Sequence, residues 1–240
     1  MVLRSILLKV SGEALAGNQD SGFELAALAW LVAELEPLVK NQILLALVIG
    51  AGNLIRGSVL KSQLTGSGLR QVTADQMGML GTIQNGLLVR DLLTHRGIPA
   101  ALYATHGIQS VVAPYSVDDA RKAMANGKLV ICAGGTGNPL FTTDSAACLR
   151  GIELGVDAVV KATQVDGVYS ADPQKDSNAV RYDALTLDEA IEKRLGVMDG
   201  TAITLCRDND MPVIVYAFRK AGALSRIIEG SAEGTVIRPS

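Results

Sequence analysis

Seven apolar residues run without a break from Ile43 to Ile49, and Gly50-Ala51-Gly52-Asn53 follows at once. The run is too short for an ordinary helix and turn residues bound it, so it reads as a strand buried on both faces. Such a strand needs neighbours beside it and cover above and below. Ser5 to Val10, stopped by Ser11-Gly12, has a similar form, as do Ala100 to Ala104, Lys128 to Ala133, Ala158 to Lys161 and Val213 to Ala217. Helical periodicity fills the intervals. Glu24 to Lys40 places Leu25, Leu28, Leu31, Val32, Leu35 and Leu38 on one stripe, and a long helix is expected from Val72 to about His95. Further helices are expected at Val117 to Ala125, Ser145 to Leu154, Leu187 to Arg194, Asp199 to Asn209 and Ala223 to Glu229. Strands separated by single helices predict an α/β chain, a three-layer sandwich with a mainly parallel central sheet. No linker composition or internal repeat divides it, so residues 1–240 read as one domain of two lobes sharing one sheet, about 1–150 and 151–240.

Composition narrows the function. With 22 Lys and Arg against 24 Asp and Glu, the net charge of −2 disfavours a general polyanion binder, and no nucleic-acid partner is expected. Cys132, Cys148 and Cys206 lack CxxC spacing, and two histidines leave little scope for a His-rich metal site. The apolar runs fall far short of the roughly 20 residues a bilayer requires. Lys9 and Glu13 interrupt what would have to be the apolar part of a signal peptide. A cytoplasmic chain with buried thiols is the expectation.

Ligands of open parallel sheets bind beyond the carboxyl ends of the strands, where this chain concentrates glycine. Lys9-Val10-Ser11-Gly12-Glu13 fits neither the Walker nor the Rossmann spacing, and by itself reads as a plain turn with a surface lysine before it reads as a phosphate turn. Gly50 through Gly57 repeats the form, with a glycine turn entering a helix and Arg56 one turn on as a planar phosphate fork, or as simple strand–helix packing. Thr136-Gly137-Asn138-Pro139-Leu140-Phe141-Thr142-Thr143-Asp144 crowds amides and hydroxyls ahead of a helix, as reading a planar base edge requires; Thr142, Thr143 and Asp144 are all competent N-caps. Lys161 through Pro173 ends a strand and turns at Asp166-Gly167, a hairpin cover over a second ligand or an ordinary β-turn.

In this order the segments resemble the bacterial UMP kinases of the amino-acid kinase superfamily, from about Ile6 to about Ile237. The most specific parts are Asp75-Gln76-Met77-Gly78-Met79-Leu80, Thr136 through Ala147 and Lys161-Ala162-Thr163. The resemblance implies ATP-dependent phosphorylation of UMP to UDP in pyrimidine nucleotide synthesis, with Mg²⁺ accompanying ATP. It implies that the first lobe binds UMP and the second ATP. On this basis Lys9, Val10, Ser11, Gly12, Gly52 and Arg56 would meet the ATP phosphates, and Thr163, Tyr169 and Asp172 the adenosine side. Ala51, Asp75 and Thr136 to Thr143 would meet UMP, Asp75 holding the ribose hydroxyls. Asp144 would orient the reactive lysines, Lys9 and Lys161. A homohexamer built as a trimer of dimers is implied, with GTP and UTP as possible effectors. The glycines of the long helix would then admit a partner helix.

The chain departs from the family pattern at Ala51 (usually glycine), Ala74 and Gln76, Leu140, Gln164 and Gly200-Thr201, none of which removes a charged residue assigned to catalysis. No neighbour of Ala51 reads as a compensating change. Two other readings fit the scaffold: a kinase for a small carboxylate or carbamate, and a nucleotide-sensing or storage protein without turnover.

Overall fold

The computed structural model describes residues 2–55 and 68–239. In chain order its elements are β1 (Ser5–Val10), α1 (Glu13–Ala16), α2 (Leu25–Lys40), β2 (Leu44–Ile49) and α3 (Gln71–His95). Then come β3 (Ala100–Ala104), β4 (Ala113–Pro114), α4 (Val117–Ala125), β5 (Leu129–Ala133), α5 (Thr143–Leu154) and β6 (Ala158–Thr163). The remainder is β7 (Val168–Tyr169), β8 (Arg181–Tyr182), β9 (Ala184–Thr186), α6 (Leu187–Glu192), α7 (Gly200–Asp208), β10 (Val213–Ala217), α8 (Ala223–Ile228) and β11 (Thr235–Arg238).

Among the described residues nine strands form one sheet in the order β4-β3-β5-β2-β1-β6-β10-β11-β9, and β7 with β8 makes a separate antiparallel hairpin. Pairing is parallel throughout the large sheet except between β10 and β11. Successive side chains of a strand face opposite ways, so the sheet has two cores. Ile6, Leu8 and Val10 of β1 pack with α2, α3 and α8 through Leu31, Ile83 and Leu224. Leu7 of the same strand packs on the other side with α4, α5 and α7 through Ala120, Cys148 and Ile203. The three-layer α/β expectation is met. Among the described residues no helix is long and apolar enough to cross a membrane. All three cysteines are free and buried, and burial holds the Cys132 thiol up at about 12.

Several expected boundaries move for local reasons. The helix placed at Ser145 begins at Thr143, because Thr142 is the residue that caps it. The strand placed at Ala158 to Lys161 continues to Thr163, since β10 pairs with it to that point. The helix ending at Arg194 stops at Glu192, and Arg194 adopts a left-handed backbone with φ 49°. The turn expected after Gly50 is present through Leu54, and the helix expected to follow it lies outside the described residues. Gly81 and Gly86 of α3 face this chain's own Ala51 and Leu102, so their close approach is internal and not reserved for a partner helix.

Candidate active site

The parallel register of β1 and β6 sets Lys9 directly beside Lys161. In-register residues of adjacent strands share a face, so both ammonium groups leave the sheet on the same side near its carboxyl end. There they meet the first turn of α5. Thr142 caps that helix by accepting from the N–H groups of Asp144 (3.1 Å) and Ser145 (3.3 Å). Capping fixes Asp144 in the first turn, where the helix dipole favours a carboxylate. Lys9 Nζ lies 2.8 Å from one Asp144 oxygen as an ion pair, and Lys161 Nζ donates to the other at 2.7 Å. Lys161 also donates to the Val197 carbonyl at 2.6 Å. Burial pushes the Asp144 carboxyl upward, but the two lysine charges and their hydrogen bonds outweigh it and hold the group below the usual carboxylate range.

Two cavities flank this cluster. One, of about 770 Å³, is lined by Lys9, Ser11, Lys161, Thr163, Tyr169 and Asp172. Lys9, Ser11, Thr163, Tyr169 and Asp172 were expected on the ATP side, and Lys161 as the second reactive lysine. Of the other residues expected there, Val10 is fully buried. Gly12 lies against the Gly50–Asn53 turn, and Gly52 lines the opposite cavity. Arg56 lies outside the described residues. The hairpin expected to turn at Asp166-Gly167 is displaced: Val168 and Tyr169 pair instead with Tyr182 and Arg181, beyond Pro173, and the Tyr169 hydroxyl donates to Asp166 at 2.6 Å.

The second cavity, of about 580 Å³, is lined by Ala51, Asp75, Thr136, Asn138, Phe141, Thr142 and Thr143 among others. Gly137 (φ 87°) turns the loop against Thr105, so a side chain there would need both an unusual backbone and space that Thr105 fills. Pro139 and Leu140 do not line the cavity. Leu140 is 73% exposed, and its N–H donates to Asp75 at 2.9 Å, joining the loop to α3. Gln71 donates to the other Asp75 oxygen at 2.8 Å.

The structure adds residues that sequence reasoning passed over. Glu13 lines both cavities. Asp199 accepts from the hydroxyls of Thr142 and Ser145 while capping α7 through the Ala202 N–H, and so braces the turn that carries Asp144. In the sequence it stands only as the first residue of the helix expected from Asp199 to Asn209. Gly81 is the compensating residue that the sequence reading did not find for Ala51. A Cβ at 81 would lie 2.8 Å from the Ala51 methyl, and Ala51 has no positive φ. The alanine therefore sits in room left by a glycine on the facing helix.

This arrangement, two lysines on one carboxylate beside two cavities, suits transfer of an anionic group between two anionic ligands. It matches what comparison with known proteins shows. The model of the amino acid kinase family matches residues 4–217. The chain is 50% identical over 232 residues to a uridylate kinase of Alcanivorax borkumensis, covering 97% of this chain and 90% of that protein. It is 48% identical over 234 residues to the uridylate kinase of Pseudomonas aeruginosa, covering 98% and 94%. Among solved structures, a UMP kinase from Bacillus anthracis superposes with a TM-score of 0.95 at 34% identity, covering 99% of this chain and 97% of that one. A uridylate kinase from Archaeoglobus fulgidus gives 0.74 at 25% identity, covering 97% and 99%. The chain belongs to the amino acid kinase family.

Proposed function

We propose that the chain is a uridylate kinase, which transfers the γ-phosphoryl group of ATP to the phosphate of UMP and releases UDP and ADP. The observation that carries this reading is Asp144 held between Lys9 and Lys161, with both lysines lining one cavity and Thr143, next to Asp144, lining the other. A UMP phosphate oxygen forms the new P–O bond in line as the bond from the γ-phosphorus to the β–γ bridging oxygen breaks, and that bridging oxygen leaves with ADP. The attacking oxygen is already anionic, so no protein nucleophile or strong base is required. Catalysis is then positioning together with neutralisation of charge on the transferring group. Lys9 and Lys161 supply that charge, and Asp144 keeps both ammonium groups aimed at one point. The cavity beside Thr163, Tyr169 and Asp172 takes ATP; the one beside Asp75 and the loop from Thr136 to Thr143 takes UMP, with Ala51 at its floor. The lobes at 1–150 and 151–240 follow this division. The retained lysine pair favours turnover over storage.

Kinases that use ATP generally work with Mg²⁺. Among the described residues no three His, Cys, Asp or Glu side chains gather into a metal cage. That donor set fits a Mg²⁺ held mainly by phosphate oxygens and water. Asp144 is engaged by both lysines, so Glu13, shared by the two cavities, is the carboxylate that would accept the ion's waters. When bound, Mg²⁺ would screen the phosphate charges from each other.

A cytoplasmic homohexamer is the assembly this reading carries, supported by Val72, Met77 and Leu80, which leave apolar surface exposed on α3. The deciding experiment is release of ADP in the presence of ATP and, separately, UMP, CMP, dTMP or acetylglutamate. Turnover confined largely to UMP is expected. Preference for the acylated amino acid, or no turnover with any acceptor, would overturn the reading.

A further inference from the structure

Two asparagines that line neither cavity join the turn after β2 to α3. Asn53, in the turn after β2, is 1% exposed, and Asn85, on α3, is fully buried. Their side chains bond reciprocally: Asn85 Nδ2 donates to Asn53 Oδ1 at 2.8 Å, and Asn53 Nδ2 donates to Asn85 Oδ1 at 3.1 Å. Each amide has a second N–H. That of Asn85 goes to the Gly50 carbonyl at 2.7 Å, and that of Asn53 to the Gly22 carbonyl at 3.1 Å. Both NH₂ groups are therefore fully used and both side-chain carbonyls accept. Only an amide carries donors and an acceptor in this geometry.

The pair joins segments that serve different ligands. A Cβ built on Gly12 would lie 2.5 Å from Asn53 Oδ1, 2.5 Å from Gly52 N and 2.7 Å from the Gly50 carbonyl, so the turn after β1 rests directly on the turn after β2. One helical turn before Asn85, Thr82 accepts from the Gly134 N–H at 2.8 Å and thereby holds the turn after β5. The same helix carries Asp75. The glycine turns following β1, β2 and β5 are thus all referred to one face of α3.

We propose that Asn85, acting through Asn53, is a positioning residue for phosphoryl transfer, setting the separation of the glycine turns that approach the donor and acceptor phosphates. Neither side chain lines a cavity, so the role is exerted through backbone placement. This rests on the reading of the site as a nucleotide phosphotransferase. In-line transfer is sensitive to small displacements: a misplacement of about 1 Å lowers the rate on the order of 10²-fold.

The test uses the full chain with Asn85→Asp, Asn85→Leu and, as a control, Val213→Ala, which removes buried volume at the amino end of β10, away from the turns. For Asn85→Asp we expect kcat to fall on the order of 10²-fold at neutral pH, with KM for UMP and ATP within about threefold of the parent. An ionised carboxylate there opposes two acceptors, Gly50 O and Asn53 Oδ1. A protonated one regains a donor, and burial raises its pKa, so the deficit in kcat relative to the parent should shrink as pH falls. Asn85→Leu should show a pH-independent deficit and Val213→Ala a near-normal kcat. If Asn85→Asp does not fold, the kcat-against-KM split of Asn85→Leu decides. Near-normal kcat in both Asn85 variants, or a kcat loss equalled by the control at matched thermal stability, overturns the positioning role. Failure of the parent to phosphorylate UMP would instead defeat the reading of the site.

Discussion

Gly81→Ala offers a sharp test of how the acceptor side is packed. The added methyl would lie 2.8 Å from the Ala51 Cβ, while the next atoms, on Ile55 and Leu54, stand at ordinary contact distances of 3.8 and 3.9 Å. Carbon atoms in contact prefer about 3.5–4.0 Å, so roughly 1 Å must be recovered, and it must come from backbone because Ala51 has no flexible end. Overpacking of this kind costs about 1–3 kcal/mol, and replacing a helical glycine by alanine returns about 1 kcal/mol of propensity. A net loss of about 0–2 kcal/mol is expected. The propensity gain does not depend on residue 51, whereas the overlap does. In the double variant Ala51→Gly, Gly81→Ala the overlap disappears and the propensity gain remains. The coupling energy of the cycle should therefore be about 1–3 kcal/mol, favouring the exchanged pair, by urea denaturation of the four proteins. Additivity within about 0.5 kcal/mol would refute the claim that the two positions share one methyl's worth of space. The UMP KM should follow the same pattern, worst in Gly81→Ala and recovered in the double variant.

The lysine and carboxylate cluster supports further expectations. Lys9→Ala should lower turnover by at least about 10²-fold while calorimetric UMP affinity is largely kept, because a charge aimed at the transferring group acts mainly in the transition state; near-normal turnover would remove Lys9 from the chemistry. Asp144 has a folded-state pKa below its ordinary value of 3.8, so its contribution to stability is present above that value and is lost as pH falls through the lower folded one. The Tm difference between the parent and Asp144→Asn should accordingly be steady at neutral pH and vanish in strong acid; a constant difference down to acid unfolding would contradict it. Light scattering at micromolar concentration should give about six times the 25.1 kDa chain mass, and a monomer would rule out the hexamer.

What the sequence disclosed follows from what periodicity and glycine can encode. Buried strands such as β2 and β5 are written as unbroken apolar runs, and the turns after them as glycine, so the parallel sheet and its ligand edge were readable. The short elements were not. β9 and β11 are three and four residues long; β11 takes its pairing from β10 and β9 from β11, which local pattern does not record. Asp199 falls inside the helix expected to Asn209, and its bracing role exists only because α7 packs beside α5. The Asn53–Asn85 pair spans 32 residues and bears no motif; a buried amide is indistinguishable in sequence from a surface one until its surroundings are known. Gly81 was visible as a helix glycine, but its partner was a matter of tertiary contact.

The central place of β1 has a consequence for how the protein is made. Lys9 leaves the ribosome before Lys161, its neighbour in the finished sheet, which follows 152 residues later. At roughly 5–20 residues per second the interval is on the order of ten seconds. During it β1 can pair with β2 on one side only, and its other edge, from Ile6 to Lys9, offers unpaired backbone groups within a strongly apolar strand. Such an edge is a template for pairing with other chains. Interrupted translation before Ala158 would therefore yield an inactive and association-prone fragment, and phosphotransfer competence would arrive only as β6 docks.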